Sequence, residues 1–129
     1  MKVNKSKQEW KDQLTENEYY VLREKGTEKP HTGKLNLHFE RGTYTCKGCG
    51  TALFDSSTKF DAHCGWPSFD KAIPYKITYL EDTSLNKTRT EIICSTCQGH
   101  LGHIFDDGPT ETGLRFCVNS LSIGFDKKQ

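Results

Sequence analysis

Six cysteines carry the chemical potential of this chain, and their spacing sorts them into two kinds. Cys46-Lys47-Gly48-Cys49-Gly50 and Cys94-Ser95-Thr96-Cys97-Gln98-Gly99 each set two thiols on a tight turn, where small residues let backbone amides point toward the sulfurs. Each turn supplies half a tetrahedron, and together Cys46, Cys49, Cys94 and Cys97 make a four-sulfur site suited to zinc, which tolerates a closed thiolate cage without redox activity. Two other readings stand beside this one. A pair of surface disulfides is opposed by a reducing cytosol, and a single thioredoxin-like redox pair does not account for two matching turns. A closed four-cysteine site offers no open coordination position, so on the zinc reading one structural ion is held per chain and catalysis lies elsewhere.

The remaining thiols, Cys64 and Cys117, each sit among groups that chemistry uses. Arg115-Phe116-Cys117-Val118-Asn119 reads as a strand whose period of two puts Arg115, Cys117 and Asn119 on one face. A free thiol of pKa about 8.5 is only about 3% ionised at pH 7, and a neighbouring cation raises that fraction. An isolated strand cysteine is ordinarily core packing, but the company of a cation and an amide favours chemistry here. His100-Leu101-Gly102-His103 follows the second turn directly, so two imidazoles hang on a short tether from a metal-fixed point, as acids or bases would. Each histidine alone reads as structural, and the pair as metal-binding only where a third ligand stands near. Gly65-Trp66-Pro67-Ser68-Phe69 places a rigid aromatic just after Cys64, and Trp66 reads equally as core and as the wall of a substrate pocket.

The elements that must position these groups are short. The 129 residues make a single domain, 1–129, with a helical segment over about 7–26 and a β body over about 43–125. Thr15 with Glu18 three residues on forms a capping box, which opens a helix that ends at Gly26; Lys7 to Leu14 forms a shorter helix before it, with Trp10 and Leu14 on one face. Lys29 to Gly42 is a long loop anchored by Leu35, Leu37 and Phe39. Alternating runs then mark strands at Thr43 to Cys46, Ala52 to Phe54, Ile73 to Leu80, Thr88 to Cys94, Arg115 to Asn119 and Ser122 to Phe125, so the body is antiparallel β. Counted with glycine and without tyrosine, about 38% of residues are apolar, against roughly 45–50% in average domains. So thin a core calls for a staple, and metal binding adds directly to folding stability. The net charge of +1 argues against nucleic acid. The polar start Met1 to Trp10 lacks the apolar region of a signal peptide, and no run is long enough to cross a bilayer, so a cytoplasmic protein without a membrane partner is expected.

Taken in order, Cys-x-x-Cys at Cys46, Cys-Gly-Trp-Pro-Ser-Phe at Cys64 to Phe69, Cys-x-x-Cys at Cys94, His-Leu-Gly-His at His100 and Arg-Phe-Cys-Val-Asn-Ser at Arg115 resemble the B-type methionine sulfoxide reductases. The resemblance spans about residues 13 to 125 and includes Gly26-Thr27-Glu28. It implies reduction of the R epimer of methionine sulfoxide, free or in proteins, on a mostly antiparallel, barrel-like β domain stapled by zinc. It implies that Cys117 is the nucleophile, Cys64 the resolving thiol, and Cys46, Cys49, Cys94 and Cys97 the zinc ligands. Trp66, with Phe69 and Arg115, would contact substrate; His100, His103 and Asn119 would surround the sulfoxide, with His103 the first choice as proton donor. Thioredoxin would be the reductant, and no organic cofactor is required. The chain departs from the family pattern at His31, His63, Phe116 and Gly124, where an aromatic, a glycine, a tyrosine and a basic residue are usual. The competing class is a zinc-ribbon module that binds protein or nucleic acid; it would need neither Cys64 and Cys117 nor two tethered imidazoles.

Overall fold

The computed structural model describes residues 4–84 and 87–128. Two short helices open the chain. Helix α1, Lys7–Gln13, begins at Ser6 and helix α2, Glu16–Glu24, at Thr15; both N-caps are full capping boxes, with Glu9 and Glu18 reaching back to the cap amides. Lys25, in the left-handed region at φ 58°, ends α2. Strands follow at β1 Gly42–Cys46, β2 Ala52–Asp55, β3 Lys59–Phe60, β4 Ser68–Phe69, β5 Ile77–Asp82, β6 Arg89–Cys94, β7 His100–Phe105, β8 Arg115–Val118 and β9 Ile123–Lys127.

Every pairing among these strands is antiparallel. They form a three-stranded sheet, β2-β1-β9, and a six-stranded sheet, β3-β4-β8-β7-β6-β5. The sheets do not close on each other, so the expected barrel-like body is instead two open antiparallel sheets. The aromatic core lies between them: Phe54 stacks on Phe69 at 4.1 Å, and Tyr44 meets Phe69 edge-on at 5.0 Å.

The three strands not expected from the sequence, β3, β4 and β7, are either two residues long or shaped by more than alternation. The first expected strand segment after the Trp66 loop, Ile73 to Leu80, begins only at Ile77, because Pro74 and a left-handed Tyr75 (φ 69°) turn the chain first. Of the three apolar anchors expected in the 29–42 loop, only Leu35 packs against the core; Leu37 and Phe39 are exposed rather than anchoring.

The helices lie on the cysteine turns. Trp10, Leu14, Tyr19, Val21 and Leu22 are buried, each such side chain contributing on the order of 1.5–3 kcal/mol. Side chains at Gly48 and Gly99 would press on Trp10 and Leu22, which is why these turn positions stay small. Arg23 stacks its guanidinium on Trp10 and donates to the Cys97 carbonyl at 2.8 Å.

Candidate functional site

The two Cys-x-x-Cys turns are built alike. The amide of the residue after the second cysteine, Gly50 or Gln98, donates to the carbonyl of the first at 2.8 Å, and both residues are left-handed, at φ 80° and 66°. One turn joins β1 to β2 and the other β6 to β7, and they bring the four sulfurs of Cys46, Cys49, Cys94 and Cys97 within 4.8 Å of one another. Tetrahedral thiolate coordination at about 2.3 Å would place sulfurs about 3.8 Å apart, so the cluster fits a single ion with small adjustment. Cys46 meets Cys97 at 3.6 Å and Cys49 meets Cys94 at 3.5 Å. Hydrogen bonds with Cys94 and Cys97, and then burial, push the Cys46 thiol far up, so the set ionises fully only around a cation. These four cysteines could hold a metal ion, and their chemistry suits a soft divalent one.

A separate cavity of about 310 Å³ opens on one face of the six-stranded sheet. Cys64, Trp66, His103, Arg115, Cys117 and Asn119 all line it. The sulfurs of Cys64 and Cys117 are 3.9 Å apart. Cys64 reaches this place from a loop bent twice, at left-handed His63 (φ 57°) and Gly65 (φ 94°), and its sulfur also lies 3.5 Å from the Trp66 carbonyl and 3.4 Å from the Ser68 hydroxyl. Ionisation is a property of the thiol pair. The hydrogen bond from Cys117 lowers Cys64 to about 5, while that bond and burial raise Cys117 well above the ordinary thiol range; the Arg115 charge favours the thiolate at both.

His103 lies directly opposite Cys117 in the β7–β8 pairing. Its Nε2 is held by Asp82 at 2.7 Å, and Asp82 also receives Arg89 at 3.3 Å. Strand parity alone would put His100, three residues earlier, on the opposite face. A register shift between Ile92 and Ile93 of β6 interrupts the alternation, and the two imidazoles end 5.7 Å apart. His100 nevertheless does not line the cavity. It is buried, donates through Nδ1 to Glu91 at 2.7 Å, and burial lowers its proton affinity although Glu91 opposes this. Glu91 in turn pairs with Lys25 at 3.2 Å.

The other expected site residues fall as follows. Arg115 makes a two-point pair with Asp107 at 2.8 and 3.0 Å and lies over the Phe105 ring at 4.3 Å, so its charge is shared before it reaches a ligand. Asn119 lies just beyond β8 and spends its amide on backbone, accepting from Glu28 N–H at 3.0 Å and donating to the Leu101 carbonyl at 3.1 Å. Trp66 donates through Nε1 to the Glu28 carbonyl at 3.0 Å. Phe69, expected at the substrate, is wholly buried in the aromatic stack and does not line the cavity. Sequence reasoning missed Thr27, Arg89 and Phe105 in the lining, and the carboxylates Asp82, Glu91 and Asp107 behind it. The one available signal was the acid and base alternation of Arg89-Thr90-Glu91 in a predicted strand.

Residues 14–127 match the SelR domain family. The chain is 49% identical over 129 residues to the peptide methionine sulfoxide reductase MsrB of Methanosarcina mazei, an alignment that covers 99% of this chain and 92% of the relative. It is 49% identical over 127 residues to the protein of the same name from Leptospira interrogans, covering 98% and 97%. With that of Hahella chejuensis the identity is 54% over 128 residues, covering 96% and 90%.

Proposed function

Since this chain belongs to the B-type methionine sulfoxide reductases, the SelR-domain family, and is an enzyme that reduces methionine sulfoxide, we propose that it acts by thiol chemistry on the R epimer, with Cys117 as nucleophile and Cys64 as resolving thiol. The observation that carries this reading is the 3.9 Å approach of two sulfurs inside a cavity that also presents Trp66, His103 and Arg115. The pair as a whole loses its first proton, from Cys64 at rest; Cys117 becomes the thiolate when its own proton passes across the 3.9 Å gap to Cys64, whose S–H can donate to the Trp66 carbonyl, and the charge then stands beside His103 and Arg115.

The Cys117 thiolate attacks the sulfoxide sulfur while the oxygen takes up a proton. His103, fixed through Nε2 by Asp82, has Nδ1 left to supply one, directly or through water. The hydroxyl oxygen then passes to the Cys117 sulfur as both the new sulfur–sulfur bond and the methionine S–O bond break, so that Cys117 is left as a sulfenic acid and methionine departs reduced. Cys64 condenses with that sulfenic acid, forming the Cys64–Cys117 disulfide and releasing water, and a dithiol such as thioredoxin restores both thiols. Trp66 seats the substrate methyl group, Arg115 supplies positive charge, and Asn119 and His100 brace the walls. A cytoplasmic setting, where such dithiols are kept reduced, belongs to the same proposal. The ion at Cys46, Cys49, Cys94 and Cys97 is zinc, held structurally by four thiolates and taking no part in oxygen transfer.

Quenched single-turnover assays test the division of labour. Cys117→Ser is expected to be inert, since a hydroxyl is a far weaker nucleophile toward sulfur. Cys64→Ser is expected to release about one methionine per enzyme in a burst and then stall, because its step follows product formation. Absence of any burst from Cys64→Ser would place Cys64 in the chemical step instead.

A further inference from the structure

Between α2 and β1 the chain runs without helix or strand, yet Glu28 within it is only 7% exposed. Its backbone does two things at once. The Glu28 N–H donates to Asn119 Oδ1 and its carbonyl accepts from Trp66 Nε1, both at 3.0 Å, so two side chains of the cavity meet on one residue of a loop. Its neighbour Thr27 lines the cavity itself.

A loop carbonyl fixes an indole only as well as the loop is fixed, and here the Glu28 side chain does the fixing. Its Oε1 accepts from the Leu121 amide at 2.9 Å, tying the loop to the 3-10 turn Ser120–Ser122 that follows β8. Its Oε2 is buried with no hydrogen-bond partner among the described residues. Gly33 closes over that oxygen and Ser120, and a side chain there would collide with both. Burying a carboxyl with one oxygen unpaired is costly, and a neutral group of similar size would serve stability better. Burial accordingly raises its proton affinity. The arrangement makes sense as positioning: pockets that select one geometry need their walls held to a fraction of an ångström.

We infer that Glu28 is the positioning residue of the substrate pocket, its carboxyl clamping the loop to the Ser120–Ser122 turn so that its backbone holds the Trp66 ring and the Asn119 amide in register. The inference rests on the proposed role of Trp66 as the seat of the substrate methyl.

The test uses the full chain with its metal, methionine sulfoxide as substrate and dithiothreitol as reductant. Glu28→Ala is expected to lose on the order of tenfold in kcat/KM, carried mainly by KM, and to shift tryptophan emission to the red. Glu28→Gln, whose carbonyl oxygen still accepts the Leu121 amide, is expected to stay within about twofold of the parent. Gly33→Ala presses on the carboxyl from behind and is expected to reproduce the KM rise, so it decides the matter should Glu28→Ala fail to fold. Trp66→Ala separates the two readings. If it leaves KM unchanged, the methyl seat is wrong, while the emission of Glu28→Ala still reports whether the clamp holds the ring. If Trp66→Ala raises KM but Glu28→Ala and Gly33→Ala keep parental KM and emission, the clamp is overturned. The double variant Glu28→Ala/Trp66→Ala is expected to lose less than the product of the two single losses, since both act on the Trp66 ring and only the Asn119 arm is added; fully independent, multiplying losses would also overturn it.

Discussion

Two sulfurs 3.9 Å apart cannot both carry charge easily, and the consequence for reactivity is a first ionisation well below that of a lone thiol. With the lower ionisation of the pair at about 5, the reduced enzyme holds one thiolate at pH 7 and keeps it until the solution falls toward that value. Iodoacetamide capture, followed by mass spectrometry, is therefore expected to stay fast from pH 8 down to about pH 6 and to fail below pH 5. In Cys64→Ser the thiol that carries the low ionisation is gone, together with the bond and the charge that hold Cys117 up, so the one remaining thiol is expected to be captured only as the pH rises toward the ordinary midpoint of about 8.5, with burial still opposing Arg115. Parent and variant titrating together would show that the two thiols do not share a proton. The types of these residues were legible in the sequence; their burial and backbone were not. His63 stands where the family resemblance leads one to expect glycine, and its φ of 57° explains that expectation, since a side chain in the left-handed region costs about 1–2 kcal/mol. The Asp61 carboxylate accepts the His63 amide at 2.9 Å and helps hold this bend beside Cys64. Phe116, where a tyrosine is usual, faces the core against Phe54, so the missing hydroxyl lies on the side of the strand away from Cys117.

At the scale of elements, β7 decides whether the histidines serve the site. The pairing steps from Ile92↔Gly102 to Ile93↔His100, so Leu101 is the extra residue, and this irregularity turns His100 and His103 toward each other. Gly102 lets β7 approach β8 closely, since a Cβ there would run into the Cys117 carbonyl. Gly102→Ala is thus expected to push the two strands apart, costing about 1–3 kcal/mol by thermal melting, and to lower kcat by displacing His103 from its place opposite Cys117. Parental kcat in that variant would mean that the His103–Cys117 register is not needed. Helix α2 was readable because its capping box is a local signal, complete within four residues, and α1 was read from the four-residue spacing of Trp10 and Leu14, while its own Ser6–Glu9 box went unread. The bulged β7 was not, because its faces are set by the partner strand rather than by its own alternation. The Asn119 amide likewise looked like a ligand-facing group, whereas its partners come from residues 28 and 101, which no local pattern brings together.

On the scale of the whole molecule, the four-cysteine cluster joins one hairpin of each sheet and could hold an ion between them. Cys46 and Cys49 belong to the β1–β2 hairpin of the three-stranded sheet, and Cys94 and Cys97 to the β6–β7 hairpin of the six-stranded sheet. One ion bound to all four would tie together two sheets that are not joined into a barrel, and would fix the start of β7, on which His100 and His103 stand. The helices cover the same turns, with Trp10 and Leu22 against Gly48 and Gly99, so the cluster sits under the most buried part of the N-terminal segment. Structural zinc in small domains is worth on the order of 10 kcal/mol of apparent binding energy, comparable to the entire stability of a domain this size. Cys94→Ser is therefore expected to lose the metal and its cooperative thermal transition together, followed by metal analysis and near-ultraviolet circular dichroism. Cys64→Ser, which touches neither hairpin, is expected to retain one ion per chain and melt with the parent. A metal-free Cys94→Ser protein that melts like the parent would show that the sheets hold together without the staple, and the positioning of β7 would then have to come from the helices and the aromatic core alone.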